Sequence, residues 1–186
     1  VYKRQIKSPA QAWNALTVGA YTEKAFVTDD RYKALAAPGG ISPMSRTSWR
    51  WRNGLNKPEI VMEGGNVADH PVLQTTTTPD LSLISTSADL AESLEPFYAT
   101  SAATALAARM AAKIKTVNPD LSLLSIRGMM VHSARWTEEM KRIGSVNDIM
   151  SICGYGLPDE EIALFSNERY ATYIFENELI PYVRKD

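Results

Sequence analysis

The sequence has little of what metal sites, disulfide frameworks and membrane spans require. It contains one cysteine, Cys153, and two histidines, His70 and His132. A single cysteine excludes an internal disulfide and a cysteine-rich zinc site, and two histidines leave few positions for a histidine-built metal site. Uncharged runs such as residues 96–108 are too short for a membrane-spanning helix, which needs about 20 apolar residues. We therefore expect no metal, no cofactor and no membrane segment.

The sequence also lacks an excess of either charge. It has 20 basic and 21 acidic residues, which gives a formal net charge of −1. Nucleic-acid binding would require a basic surface, and the bulk charge offers none. The alternating segment 49–52, Trp-Arg-Trp-Arg, could stack bases and contact phosphates, but it equally fits an exposed strand whose tryptophans cover the core. We prefer the strand and expect no nucleic-acid partner.

The 186 residues, 45% of them hydrophobic, are enough for one domain with a sizeable core. Short, nearly continuous apolar runs at residues 15–20, 60–62 and 81–85 end at or near glycine, proline or serine. Such runs suit a parallel sheet that is covered on both faces. Residues 170–175 have strand-like composition as well.

Helices are predicted between these runs. Residues 102–117 are rich in alanine and contain neither glycine nor proline, which favours a largely buried helix. Asn118 and Pro119 end it, Ser122 or Asp120 can cap a second helix, and residues 158–164 predict a third, short one. The order of elements predicts an α/β fold.

Ser101 lies where the long helix is predicted to begin. The ordinary interpretation is an N-cap, whose hydroxyl accepts a hydrogen bond from an N–H of the first turn and contributes about 1 kcal/mol. The alternative is a nucleophile, because the partial positive charge and unpaired N–H groups of a helix start can hold an oxyanion.

The residues around Ser101 favour the second interpretation. Residues 99–105, Ala-Thr-Ser-Ala-Ala-Thr-Ala, resemble the nucleophile motif of subtilisin-like serine proteases (subtilases), Gly-Thr-Ser-x-Ala-Thr/Ser-Pro. Thr100, Ser101, Ala103 and Thr104 match that motif in place. Ala99 and Ala105 depart from it.

Five further segments resemble the same family in the same order. They correspond to the strand after the oxyanion asparagine, the Ser/Phe-Ser loop, the Lys-Pro-Asp-Val-x-Ala-Pro-Gly strand, the start of the next helix and the closing Gly-x-Gly turn. These segments are residues 17–20, 41–46, 57–66, 118–127 and 154–158. Six motifs in order identify a resemblance that one motif would not.

The resemblance implies a three-layer, subtilisin-like α/β fold with a mostly parallel sheet, represented by its C-terminal portion. Residues 1–166 would belong to the catalytic domain and residues 167–186 would start a C-terminal extension. Ser101 would be the nucleophile of an Asp/His/Ser triad, and its backbone N–H would help to hold the oxyanion. The substrate would be a peptide or a protein.

The other triad members are expected outside this chain. In subtilisin the order along the chain is Asp, His, Ser, so both partners precede the serine. His70 precedes Ser101 but lacks the His-Gly-Thr pattern, and we interpret it as a surface-loop residue. His132 follows the serine near a helix end, and Asn14 is too near its strand to be the oxyanion asparagine. We expect the chain alone to be inactive, to need the N-terminal part of its own catalytic domain as a partner, and to self-associate.

Ala99 and the missing triad partners support an alternative function, whereas Ala105 lies inside the helix, where the loss of a first-turn proline costs little. If position 99 requires a positive φ, Ala99 is strained and the enzyme is weakened. An inactive subtilase-like binding or structural module is then the competing hypothesis. The adjacent acids Glu138–Glu139 and those at 159–161 could be imagined as acid/base pairs, but acids at helix starts are typical of dipole stabilisation.

Overall fold

The computed structural model describes residues 4–49, 51, 54, 56–165 and 171–177. The strands are β1 (Val18–Thr22), β2 (Lys33–Ala34), β3 (Gly40–Ile41), β4 (Ile60–Glu63), β5 (Ala68–His70), β6 (Gln74–Thr76), β7 (Leu83–Thr86) and β8 (Leu94–Phe97). The helices are α1 (Ala99–Val117), α2 (Leu123–Ser133), α3 (Glu138–Lys141), α4 (Val146–Cys153) and α5 (Glu160–Leu164), with a 3₁₀ turn at Pro79–Leu81.

The central sheet has the order β3-β1-β4. β1 runs parallel to β4, with Val18 opposite Ile60 and Tyr21 opposite Glu63, and antiparallel to β3. All five residues of β1 are buried. A strand buried on both faces explains why this part of the sequence is a continuous apolar run rather than an alternating one.

Two apolar clusters lie on opposite faces of this sheet, because successive side chains of a strand point to opposite sides. Val18, Ala20 and Ile60 face a cluster formed with α1, α2 and α5. Tyr21 and Val61 face a second cluster formed with α3 and α4. The predicted burial of the alanine-rich helix is confirmed: Ala102, Ala103, Ala107, Met110 and Ile114 are buried.

Two smaller antiparallel units complete the described structure. β2, β5 and β6 form a three-stranded sheet with β5 in the centre, and β7 pairs with β8 in a hairpin. The hairpin leads directly into α1, so the end of β8 fixes where the chain enters the helix. The α3 and α4 helices and the β2-β5-β6 sheet had not been predicted from the sequence.

The α/β class is confirmed, whereas the mostly parallel sheet is not. Within the part of the chain that the structure describes, the pairing of β1 with β4 is parallel and the other pairings between strands are antiparallel. The predicted strand at 170–175 is wrong for residues 171–175, which have no regular structure, and Tyr170 lies outside the described residues. Helix α1 begins at Ala99 rather than Ala102. None of the described helices is both long enough and apolar enough to cross a membrane.

Candidate active site

Ser101 is the third residue of α1, and it is exposed. The residue at the N-cap is Tyr98, in extended conformation, and its side chain makes no capping hydrogen bond. The interpretation of Ser101 as an N-cap is therefore wrong. Its hydroxyl lies on the first turn of a 19-residue helix, where the N–H groups have no partner within the helix and the helix dipole is positive. A negative charge that develops beside this hydroxyl would be stabilised.

Of the other motif residues, Ala103 packs in the core and Thr104 faces solvent. Ala103 is fully buried in the cluster that α1 forms with the central sheet. Thr104 is exposed, and its hydroxyl donates to the Thr100 carbonyl at 2.7 Å, one turn earlier in the same helix. Ala103 thus fixes α1 against the sheet, and Thr104 stiffens the first turn. Ser101 is left with its hydroxyl free of any described hydrogen bond.

Ala99 enters α1 with a φ of +67°. This is the left-handed region, which an alanine adopts at a cost of roughly 1–2 kcal/mol because Cβ approaches the backbone. The sequence predicted a strained Ala99 if φ were positive at this position, and the observed φ is positive. Ala99 donates its N–H to the Gly64 carbonyl at 2.7 Å, which ties the start of the helix to the end of β4.

Two glycines permit this close approach. A Cβ on Gly64 would lie 2.5 Å from the Ala20 Cβ and 2.8 Å from the Ala99 oxygen. Gly65 has a φ of +76°, and a Cβ there would lie 2.6 Å from the Leu81 oxygen. Larger residues would separate β4 from the start of α1. The Gly64–Gly65 turn therefore decides how near Ser101 lies to the carboxyl ends of β1 and β4.

Charged groups at this edge of the sheet are carried by Glu63 and Glu23. The Glu63 carboxylate accepts the N–H of Glu23 and the N–H of Gly65, each at 2.7 Å. Burial, with the charges of Glu63 and Glu23 adding to it, raises the pKa of Tyr21 to about 12. Glu63 was not predicted as a site residue. The sequence does mark this position as unusual, because Glu63 stands where the strand motif that residues 57–66 resemble has proline.

His70 is not a surface-loop residue, and that prediction is wrong. It ends β5, is 8% exposed, and its ring lies 4.7 Å from the ring of Tyr32. Its Nδ1 accepts the backbone N–H groups of Val72 and Leu73, at 3.1 and 3.0 Å. Nδ1 is thus engaged as an acceptor, and these hydrogen bonds hold the ring at the turn between β5 and β6.

His132 is exposed in the last turn of α2, as its position in the sequence predicted. Over the described ranges, no hydrogen bond joins either histidine to Ser101. The same ranges contain no group of three or more histidine, cysteine or acidic side chains that could hold a metal ion.

The adjacent acids outside this site have structural partners. Glu138 pairs with Lys141 at 2.6 Å and Glu139 with Arg142 at 2.8 Å. The hydrogen bond from Lys141, with its charge, lowers the pKa of Glu138. Asp159 caps α5 by accepting the Ile162 N–H at 3.1 Å. These contacts fit helix stabilisation rather than acid/base pairs.

A buried ion network fixes the base of the central sheet. Lys57 is completely buried, and its ammonium contacts the Glu59 carboxylate at 2.5 Å and the Ala15 carbonyl at 2.9 Å. Arg127 of α2 reaches the same carboxylate at 2.8 Å. The other Glu59 oxygen accepts the Thr17 N–H at 2.7 Å. Through these contacts α2, β4 and the segment before β1 are held in one arrangement.

Comparison with known proteins gives the family. A sequence model of the subtilase family matches residues 2–156. Because this match covers most of the chain, the chain belongs to the subtilase family. At the level of the family, it is thus of the subtilisin-type serine protease class. An uncharacterized protein of Sinorhizobium fredii, y4bN, is 27% identical over 191 residues, which cover 94% of this chain and 43% of that protein. The chain thus spans less than half the length of the curated relative that it matches.

Proposed function

We propose that this chain is the C-terminal portion of the catalytic domain of a serine endopeptidase, with Ser101 as nucleophile. The observation that carries the proposal is the exposed Ser101 hydroxyl on the uncapped first turn of α1, in a chain of the subtilase family. Ser101 would attack the scissile carbonyl of a peptide or protein substrate. Its own backbone N–H, with the helix dipole, would help to hold the oxyanion.

The proposed reaction needs a base that this chain does not supply. A serine hydroxyl becomes a strong nucleophile when a histidine, oriented by a carboxylate, takes its proton. His70 is hydrogen-bonded to the backbone of the turn between β5 and β6, and His132 lies in the last turn of α2. The aspartate, histidine and oxyanion asparagine would come from the N-terminal part of the same catalytic domain, which would complete the three-layer fold and its mostly parallel sheet. The chain alone would therefore not turn over peptides.

The proposed domain division places residues 1–166 in the catalytic domain and residues 167–186 at the start of an extension. If the N-terminal part of the domain is absent, the apolar surface that it would cover favours self-association of the chain. Apolar side chains such as Trp13 and Leu124, 74% and 75% exposed, are available for contacts with the missing part or with a second copy.

An inactive subtilase-like binding module is the second candidate, and the backbone at Ala99 is what favours it. A strained residue two positions before the nucleophile could displace Ser101 from the geometry that attack requires. The two candidates differ in whether the Ser101 hydroxyl reacts.

The test is labelling of the intact protein with a fluorophosphonate probe, which forms a bond to an activated serine. We expect label on the peptide that contains Ser101, its loss in Ser101→Ala, and its retention in the matched surface variant Ser93→Ala. An intact protein that folds but takes no label at Ser101 would exclude the active enzyme and leave the binding module.

A further inference from the structure

The carboxylate of Glu63 joins two segments that meet at the carboxyl edge of the central sheet. One carboxylate oxygen accepts the N–H of Glu23, just after β1, and the other accepts the N–H of Gly65, just after β4. Both distances are 2.7 Å, well within hydrogen-bonding range. Both oxygens are in use, so the side chain acts as a bridge between the two strand ends.

This bridge encloses the turn that contacts the start of α1. The Gly64 N–H donates to the Tyr21 carbonyl at 3.0 Å, and the Gly64 carbonyl accepts the Ala99 N–H at 2.7 Å. Gly64 is packed so closely that even a Cβ would collide with Ala20 and with the Ala99 oxygen. The turn therefore cannot shift without moving Ala99.

Ala99 needs this support because its conformation is unfavourable. A non-glycine residue in the left-handed region persists when its surroundings hold it there. The contacts that hold Ala99 pass through Gly64, and Glu63 and Gly65 fix the turn on either side of Gly64. Ser101 follows Ala99 by two residues in the same helical turn.

We infer that Glu63 is a positioning residue for Ser101: its carboxylate fixes the Gly64–Gly65 turn, which holds Ala99 in its left-handed conformation and thereby sets the position of the nucleophile. The inference rests on the proposed function for its effect on reaction rate, but not for its effect on the backbone. Glu63 itself touches no reacting atom.

The test compares the wild-type intact protein with Glu63→Gln. Glutamine keeps the shape but has one acceptor oxygen, so the N–H of Glu23 or of Gly65 must lose its partner. Asp80→Asn is the matched control. Asp80 also accepts a distant backbone N–H, that of Thr28 at 2.7 Å, but uses one oxygen that the amide can replace.

The first readout is amide hydrogen exchange of the segment 98–102, which does not depend on activity. We expect exchange there to be faster in Glu63→Gln than in wild type, and unchanged in Asp80→Asn. Equal exchange in Glu63→Gln and wild type would overturn the inference. If wild type takes no fluorophosphonate label, the proposed function fails, and hydrogen exchange alone decides the role of Glu63.

The second readout is the rate constant for fluorophosphonate labelling of Ser101. We expect Glu63→Gln to lower it about tenfold or more, because a small displacement of a reacting group is costly. Adding Ala99→Gly should restore most of the loss, since glycine adopts a φ of +67° without support. A Glu63→Gln variant that labels at the wild-type rate, or one that Ala99→Gly does not rescue, would contradict the positioning role.

Discussion

At the scale of single residues, Ala99 and its neighbours combine strain with close packing. The chain reaches Ser101 through a left-handed alanine, and two glycines on the facing turn leave no space between β4 and α1. Strain at such a point is tolerated because neighbouring contacts fix the backbone. The first turn of α1 is thus a place where a single methyl group matters for both stability and geometry.

Replacing Ala99 by glycine should stabilise the protein. Relief of the left-handed strain, roughly 1–2 kcal/mol, exceeds the roughly 0.5–1 kcal/mol that the added freedom of glycine costs in the unfolded chain. The urea midpoint should therefore rise in Ala99→Gly. Ala105→Gly, an exposed position on the same helix, should lower it, because no strain is relieved there. A lower midpoint in both variants would contradict the strain at Ala99.

At the scale of elements, the arrangement of α2 against the sheet depends on buried charges. Glu59 accepts from both Lys57 and Arg127, and Lys57 has no exposed surface. A buried ion network of this kind holds elements in one register, because any other arrangement leaves a charge without a partner. The buried face of the α1 helix, by contrast, packs against the sheet through apolar side chains.

Glu59→Gln should therefore be strongly destabilising. It leaves the Lys57 ammonium buried without a counter-charge, which typically costs about 3–5 kcal/mol. The matched control is Glu138→Gln, which breaks an exposed pair with Lys141 and should leave the urea midpoint nearly unchanged. Similar midpoints for the two variants would show that the buried network adds little.

At the scale of the whole molecule, two cores stabilise the two faces of the central sheet. Cys153 belongs to the core between the sheet and the α3 and α4 helices, and it is fully buried. Burial raises the pKa of its thiol from the usual 9.0 to about 12. The thiol is therefore neutral and unreactive near neutral pH in the folded protein.

The raised pKa makes part of the stability depend on pH. In the folded state the thiol stays neutral, whereas in the unfolded state it ionises above about pH 9, so its contribution is complete below pH 9 and is lost as the pH rises toward 12. Wild type should lose more stability between pH 8 and pH 10 than Cys153→Ala.

Peptide mapping should also find Cys153 alkylated slowly at neutral pH and rapidly in urea. Rapid alkylation of the folded protein would place the thiol at the surface.

The sequence by itself determined the α/β class and the burial of the alanine-rich helix, because local apolar spacing decides these features. It limited the cap of α2 to Ser122 or Asp120, and the structure shows Ser122, whose side chain accepts the Ser125 N–H. It also gave the family, through motifs in order. The left-handed backbone of Ala99, the bridge by Glu63, the burial of His70 and the small antiparallel sheets were decided by the tertiary structure. The conformation of Ala99 and the bridge by Glu63 depend on segments that are tens of residues apart in the chain and become neighbours only when β1, β4 and α1 pack together. His70 is buried because β5 lies between β2 and β6 and its ring contacts Tyr32, which is distant in the sequence.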